Sequence, residues 1–166
     1  MTESAEAFTG DELVWMREAL RLAEYAAEQG EVPIGAVIVR NGQVIGRGWN
    51  RNIELNDPSA HAEILAMRDA GRAIGNYRLT GCSLYVTLEP CPMCAGAMIH
   101  ARLDRIVYGA SDPKTGAAGG KFDLLCDPAH NHAPEVTGGC LSGECSTRLK
   151  AFFRERRKSA MTSRGS

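Results

Sequence analysis

Three side chains with metal-binding chemistry stand in two short motifs of this 166-residue chain. His61 opens the motif His-Ala-Glu, and Cys91 and Cys94 lie in the motif Pro-Cys-Pro-Met-Cys. One imidazole and two thiolates are ligands that zinc favours, and three protein ligands leave a fourth position for water, as in catalytic zinc sites. Glu63 supplies a nearby carboxylate suited to removing a proton from that water. The residues therefore predict a hydrolytic zinc site.

The first motif is expected at the beginning of a helix. Asp57 or Ser59 can cap that helix, which is expected to run to about Gly71. Because successive helical residues turn by roughly 100°, His61 and Glu63 point about 200° apart and can serve one metal only near the first turn. The zinc ion is therefore expected beyond or beside the start of this helix.

The second motif is also expected at a helix start. Pro92 suits the first helical turn, and the helix should continue to about Ala101. Cys91 and Cys94 then lie where exposed N–H groups and the helix dipole favour thiolates. Two helix starts are thus predicted to face one metal.

The rest of the chain shows strand signals alternating with helix signals. A predicted helix at 11–29 is followed by a β-hairpin whose two-residue turn is Asn41-Gly42, a strong hairpin signal. The further predicted elements are a polar loop at 51–57, strands at 82–87, 105–109 and 135–137, a flexible glycine-rich loop at 111–120, and a helix from about 140 to 158. The alternation implies crossover connections and hence an α/β fold, a three-layer α/β/α sandwich with a central mixed five-stranded sheet.

Length and composition indicate one domain, expected at residues 1–158, followed by a disordered tail at 159–166. Hydrophobic residues make up 44% of the chain, which is enough for a packed core. The first residues are acidic rather than basic and apolar, and no run approaches the roughly 20 apolar residues of a membrane helix. A cytoplasmic protein without a membrane segment is therefore expected, with its six cysteines reduced.

The formal net charge of −1 hides two ends of opposite charge. Residues 1–31 contain eight acids and two bases, whereas residues 145–166 contain seven bases and one acid. The basic end also holds aromatic groups, and the residues suited to stacking on bases or binding phosphates are Phe152, Phe153, Arg154, Arg156 and Arg157. The alternatives are that the phenylalanines are core or dimer contacts and that the arginines only solvate a helix end.

Both zinc motifs resemble the cytidine deaminase superfamily, whose nucleobase deaminases carry the signature H-x-E…P-C-x-x-C. More of the chain resembles one branch, the bacterial tRNA-specific adenosine deaminases that make inosine at the wobble position. The resembling stretches lie at 32–37, 48–51, 57–64, 76–79, 84–100, 114–119 and 152–154. This resemblance implies a cytidine-deaminase-like fold, one Zn²⁺ per subunit, and a homodimer that acts on a tRNA anticodon arm.

The resemblance also implies a role for individual residues. Glu63 would deprotonate the zinc-bound water, which attacks C6 of adenine, and would then protonate N1 and help ammonia to leave. Asn50 would hydrogen-bond the base, and the backbone near Ala62 would help to hold the purine. The loop residues that match the family's substrate-contacting segment are Asp112, Lys114 and Thr115. A base inside a stacked anticodon loop must be splayed out to reach such a site.

Two other functions stay open on the sequence alone. A deaminase of a free base or nucleoside, of the guanine or cytosine type, would use the same zinc chemistry but would not need a basic, aromatic C-terminal helix. An RNA-binding module with structural zinc would need a fourth protein ligand and would leave Glu63 without a role. The number of protein ligands and the choice between tRNA and free substrates separate these functions.

Overall fold

The computed structural model describes residues 8–164 of the chain, and this part forms five helices and five strands. In chain order they are α1 (Gly10–Glu28), β1 (Gly35–Arg40), β2 (Gln43–Trp49), α2 (Asn52–Leu55), α3 (Ala62–Ile74), β3 (Ser83–Leu88), α4 (Pro92–Ala101), β4 (Arg105–Ala110), β5 (Glu135–Thr137) and α5 (Ser142–Arg164). The predicted order of helices and strands is therefore confirmed, with α2 as an addition.

A mixed five-stranded sheet forms the middle layer, with the strand order β2-β1-β3-β4-β5. Strand β1 pairs antiparallel with both β2 and β3, whereas β3 with β4 and β4 with β5 are parallel pairs. One buried core lies between the sheet and helices α3 and α4, and the other lies between the sheet and helices α1 and α5. The predicted three-layer α/β/α sandwich is thus confirmed.

Local sequence signals account for the first three elements. The Thr9 side chain accepts a hydrogen bond from the Glu12 N–H, and the Glu12 side chain accepts one from the Thr9 N–H, which is the reciprocal capping box of a helix start. Asn41 and Gly42 have φ angles of 51° and 75°, as the two-residue turn of a hairpin requires. The predicted hairpin of β1 and β2 is confirmed.

Strand β2 and helix α3 lie in direct backbone contact because the facing residues are small. A Cβ atom on Gly48 would stand 2.1 Å from the carbonyl oxygen of Ala62 and 2.5 Å from the backbone nitrogen of Ala66. Both alanines are fully buried. Only glycine fits in this strand position, and the contact fixes the first turn of α3, where the His-Ala-Glu motif lies.

The predicted cap of that helix is wrong. The Asp57 carboxylate accepts hydrogen bonds from the N–H and the hydroxyl of Ser59, at 2.8 and 2.7 Å, and closes a turn of its own. This local bonding takes the place of a cap. Helix α3 begins only at Ala62, with His61 as its N-cap, and it continues to Ile74, beyond the predicted end. His61 nevertheless lies at the helix start, as the zinc chemistry requires.

Two stretches expected to lack regular structure are helical. Within the predicted loop at 51–57, the buried carboxylate of Glu31 accepts hydrogen bonds from the N–H groups of Ile53 and Glu54 and so supports α2. Helix α5 continues through 159–164, because no glycine or proline stops it, so the expected tail is wrong for these residues. Residues 165–166 lie outside the described part. Within residues 8–164, no helix has the length and apolarity to span a bilayer.

Candidate zinc and substrate site

The three predicted zinc ligands converge between the first turns of α3 and α4. His61 is the N-cap of α3, Cys91 is the N-cap of α4, and Cys94 follows in the first turn of α4. Their three ligand atoms all lie within 4.8 Å of one another. The Nδ1 atom of His61 is 3.6 Å from the sulfur of Cys91 and 3.5 Å from that of Cys94.

These distances fit a tetrahedral zinc ion. With Zn–S bonds of about 2.3 Å and Zn–N bonds of about 2.0–2.1 Å, a tetrahedral angle separates nitrogen from sulfur by about 3.6 Å. The side chains of the two N-cap residues, His61 and Cys91, form no cap hydrogen bond, so both ligand atoms can face the metal. In the part of the chain that the structure describes, no fourth His, Cys, Asp or Glu joins this group. The donor set is that of an open, catalytic zinc site.

Hydrogen bonds within the cluster shift the pKa values of its members in opposite directions. The hydrogen bond from the Cys94 thiol, together with that from His61, lowers the pKa of Cys91 to about 4. Because Cys94 is the donor in that bond, the pKa of its own thiol is raised. The hydrogen bond to Cys91 raises the pKa of His61. Zinc binding therefore has to displace protons from the cluster, and zinc affinity should increase with pH.

Glu63 lies in the first turn of α3 and is 4% exposed. Burial raises the pKa of its carboxyl group to about 7, although its own backbone N–H and the charge of His61 act in the opposite direction. The carboxyl group interacts with Cys94 and with the charges of His61 and Cys91, which places Glu63 directly beside the ligand cluster. A carboxyl group with a pKa near neutrality can accept a proton in one step and return it in another.

Asn50 is a buried residue directly after β2, and its side chain reaches the same helix turn. Its Oδ1 atom accepts a hydrogen bond of 2.8 Å from the N–H of Ala62. Because the amide oxygen is engaged in this bond, the NH₂ group of Asn50 is the part left to donate to a substrate. The N–H of Ala62 is used by Asn50, so the contact of Ala62 with a purine stays a prediction.

The loop at 111–120 is held in shape by two carboxylates. Asp112 accepts hydrogen bonds from the N–H groups of Lys114 and Thr115 and from the Thr115 hydroxyl, at 3.0, 3.2 and 2.7 Å. The buried Glu89 accepts N–H bonds from three residues of the loop, including Asp112. The loop is glycine-rich as predicted, but its backbone has fixed partners. Sequence reasoning missed the role of Glu89. The feature that could have indicated it is the position of an acidic residue directly between an apolar strand and the Pro-Cys motif.

The basic and aromatic residues of α5 lie on two sides of the helix. Phe153, Arg154 and Arg157 line a groove of about 730 Å³, together with Asp112 and Lys114 of the loop. Phe153 is 42% exposed and so has a free face. The groove brings together predicted substrate-binding residues that are far apart in the sequence.

Phe152 and Arg156 lie on the other side of α5, towards the end of α1. Arg156 donates a hydrogen bond of 2.9 Å to the carbonyl oxygen of Gly30, and its guanidinium carbon is 5.0 Å from the centre of the Phe152 ring. These two residues belong to a separate surface depression. The structure therefore does not place them in the groove that Phe153 and Arg157 share with the loop.

Comparisons with known proteins agree with this geometry. The family model of the cytidine and deoxycytidylate deaminase zinc-binding region matches residues 10–110. The tRNA-specific adenosine deaminase of Haemophilus influenzae is 54% identical, over 86% of this chain and 83% of its own length. That of Bacillus subtilis is 49% identical, over 94% of this chain and 96% of its own length. A solved structure from studies of A-to-I editing by tRNA:A34 deaminases at the wobble position is similar with a TM-score of 0.79 and 50% identity, covering 81% of this chain and 98% of that one.

Proposed function

Because the chain belongs to the tRNA-specific adenosine deaminase family, we propose that it converts adenosine to inosine at the wobble position of a tRNA anticodon and releases ammonia. One observation supports this proposal most strongly. The ligand atoms of His61, Cys91 and Cys94 have the spacing of a three-ligand zinc site, and the buried carboxyl group of Glu63, in the helical turn that His61 caps, interacts with all three.

His61, Cys91 and Cys94 are assigned as the residues that hold one Zn²⁺ ion. A zinc ion held by these residues would lower the pKa of a bound water molecule and so supply a nucleophile for C6 of adenine. Glu63 takes the proton that this water loses and delivers it to N1 of the ring. Glu63 then moves the remaining proton of the new C6 hydroxyl group to the amino group, the C6–N bond breaks, and ammonia leaves as C6 becomes the carbonyl carbon of inosine.

The environment of Glu63 suits both halves of this proton transfer. An ordinary glutamate would be almost fully ionised at neutral pH and would return its proton only from a small protonated fraction. Burial raises the pKa of Glu63 to about 7, which favours return of the proton compared with an exposed glutamate. General acid–base catalysis is most effective when the pKa lies close to the working pH.

Asn50 is assigned to orient the base. The ring nitrogens of adenine are hydrogen-bond acceptors, and the free NH₂ group of Asn50 is a donor. Its oxygen is held by the N–H of Ala62, so the donor cannot turn away without breaking a buried hydrogen bond. A purine bound to Asn50 would lie beside the first turn of α3, next to His61 and Glu63.

The groove between α5 and the loop is proposed to bind the anticodon arm. Phe153 offers an exposed ring for base stacking, and Lys114, Arg154 and Arg157 offer cations for phosphates. The groove also includes Leu88, at the end of the strand that leads to Cys91. An RNA strand in this groove would therefore lie close to the zinc ligands. The proposal also includes a homodimer and a cytoplasmic location, which follow from the family.

A comparison of substrates tests the function. Zinc-loaded protein is incubated separately with tRNA, adenosine, guanine and cytosine, and nucleosides and ammonia are measured. We expect inosine from tRNA and little or no product from the free compounds. Rapid ammonia release from a free base, with no inosine in tRNA, would instead favour the alternative deaminase and would contradict the proposal.

A further inference from the structure

Glu89 is a buried carboxylate that the zinc chemistry does not use. It follows β3 directly, stands two residues before Cys91, and is 3% exposed. Its Oε1 atom accepts the N–H of Asp112 at 2.9 Å, and its Oε2 atom accepts the N–H groups of Ala118 and Gly120 at 2.9 and 2.8 Å. Three backbone donors from one loop thus converge on a single carboxylate.

The loop is shaped to fit this carboxylate. A Cβ atom on Gly116 would stand 2.3 Å from the Cδ atom of Glu89, and one on Gly120 would stand 2.6 Å from its Oε1 atom. Within residues 8–164, no lysine, arginine or histidine forms an ion pair with Glu89. The amide donors of the loop are therefore its main partners, and such charge-assisted bonds are stronger than neutral ones.

Backbone bonds join the same two segments. The N–H of Glu89 donates to the carbonyl oxygen of Ala110 at 2.8 Å, and the N–H of Ala117 donates to that of Pro90 at 2.7 Å. The segment that carries Cys91 and the loop that carries Asp112 are consequently bonded to each other on both sides of the Glu89 carboxylate.

We propose that Glu89 is a positioning residue, which fixes the 111–120 loop against the zinc-ligand segment and thereby shapes the RNA groove. This inference rests on the proposed function only in assigning RNA to that groove. Within residues 8–164, the hydrogen bonds that the Glu89 carboxylate accepts come from the loop and not from a zinc ligand, so its loss should change substrate binding more than chemistry. The loop bears Lys114 on the groove, and its N-terminal turn begins at Asp112, the residue that Glu89 holds.

Glu89→Gln is the informative variant because it keeps the size of the side chain. Glutamine has only one acceptor oxygen. Its most favourable orientation keeps that oxygen on Ala118 and Gly120 and turns the NH₂ group against the N–H of Asp112. The Asp112 amide should then lose its acceptor, while the rest of the fold keeps its bonds.

Amide hydrogen exchange and steady-state kinetics on the zinc-loaded protein measure these effects separately. Exchange at Asp112 should accelerate by about tenfold or more, the equivalent of one charge-assisted hydrogen bond. The KM for tRNA should rise by about tenfold, because the loop that binds RNA loses the same hydrogen bond, whereas kcat should change by less than about twofold. Zinc content should stay at one ion per chain.

Two further variants make the test specific. Glu31→Gln is the matched control, because Glu31 is another buried carboxylate that accepts only backbone N–H bonds, from Ile53 and Glu54. It should accelerate exchange at those two residues and leave Asp112 unchanged. Gly116→Ala keeps Glu89 but forces the loop away from it, and should raise the KM for tRNA in the same way.

The outcomes are decisive in either direction. Unchanged exchange at Asp112 and unchanged KM in Glu89→Gln would overturn the proposal, as would zinc loss with a fall in kcat, since Glu89 would then support the metal site. Failure of both Glu89→Gln and Gly116→Ala to fold would make the carboxylate a requirement of the fold and would also overturn it. If the proposed function itself is wrong, the wild-type protein makes no inosine in tRNA, yet the exchange at Asp112 still reports whether Glu89 holds the loop.

Discussion

Replacing Gly48 with alanine tests whether the close packing of β2 on α3 positions the zinc and substrate site. The new Cβ atom would stand 2.1 Å from the carbonyl oxygen of Ala62, and ordinary contact begins at 3.4 Å. The first turn of α3 must therefore move by about 1 Å, because backbone atoms cannot turn aside as a flexible side chain can. That turn carries Glu63 and holds Asn50 through the N–H of Ala62.

The expected losses follow from this displacement. Overpacking of a core contact costs about 1–3 kcal/mol in folding free energy. For a chain of this length, each kcal/mol lowers Tm by about 2–4 °C. A displacement of about 1 Å in reacting groups can reduce the rate by about 100-fold. Gly48→Ala should consequently melt several degrees lower and make inosine far more slowly, while still binding zinc.

Calorimetry and an inosine assay on zinc-loaded protein check both effects. Gly143→Ala is the matched control, since its Cβ atom would meet nothing within 4 Å and the residue lies in helix α5. Alanine is favoured over glycine in a helix, so this control should be as stable as the wild type or slightly more so. An unchanged Tm and a normal rate in Gly48→Ala would refute the idea that this contact sets the geometry of the site.

Three further predictions concern charge and metal. Burial raises the pKa of Glu12, but the hydrogen bond from Arg105 and the other partners of Glu12 outweigh burial and lower the pKa overall from 4.5. Ionised Glu12 therefore stabilises the folded state above that pH, and this stability is lost as pH falls through the folded pKa. The Tm values of wild type and Glu12→Gln should therefore converge on acidification, and a constant difference would contradict this. Arg157→Ala should flatten the slope of log affinity for tRNA against log salt by about one unit, whereas Arg156→Ala should not, and equal slopes for the two variants would remove this distinction. Cys94→Ala should lose zinc and stability together, and a zinc-replete, active variant would disprove its role as a ligand.

The zinc ligands could be predicted from sequence because their chemistry is local. The Cys-x-x-Cys spacing lets Cys91 and Cys94 share one metal, and Pro92 marks the helix start that they occupy. The hairpin turn at Asn41-Gly42 is likewise a local signal. The distance between His61 and the cysteines, in contrast, is set by the pairing of β1 with β2 and β3. Sequence alone predicts that the three residues are close only because a shared zinc ion would need all of them as ligands.

The missed features depend on competition or on distant partners. Asp57 and Ser59 had two local options, a helix cap or a turn with each other, and residue types alone do not decide between them. Glu89 accepts hydrogen bonds from backbone N–H groups more than twenty residues away. Every residue except proline has such a donor, so residue types do not indicate which ones bind Glu89.

The division of α5 into two sides could have been predicted from the sequence. Phe152 and Arg156 are four residues apart, as are Phe153 and Arg157, so each pair shares one helical face. Helical periodicity therefore separates the two pairs, although it does not say which one faces the loop.

Glu63→Gln tests the central claim most directly, namely that this carboxyl group transfers protons beside a three-ligand zinc ion. The variant keeps the shape of the side chain but cannot accept the proton, and loss of a general acid–base residue lowers the rate by about 10²–10⁴-fold. Zinc per chain and inosine formation in tRNA are measured on the same sample. The proposed mechanism predicts one zinc ion per chain and a rate reduced by at least about 100-fold. Full zinc content with normal inosine formation would contradict it.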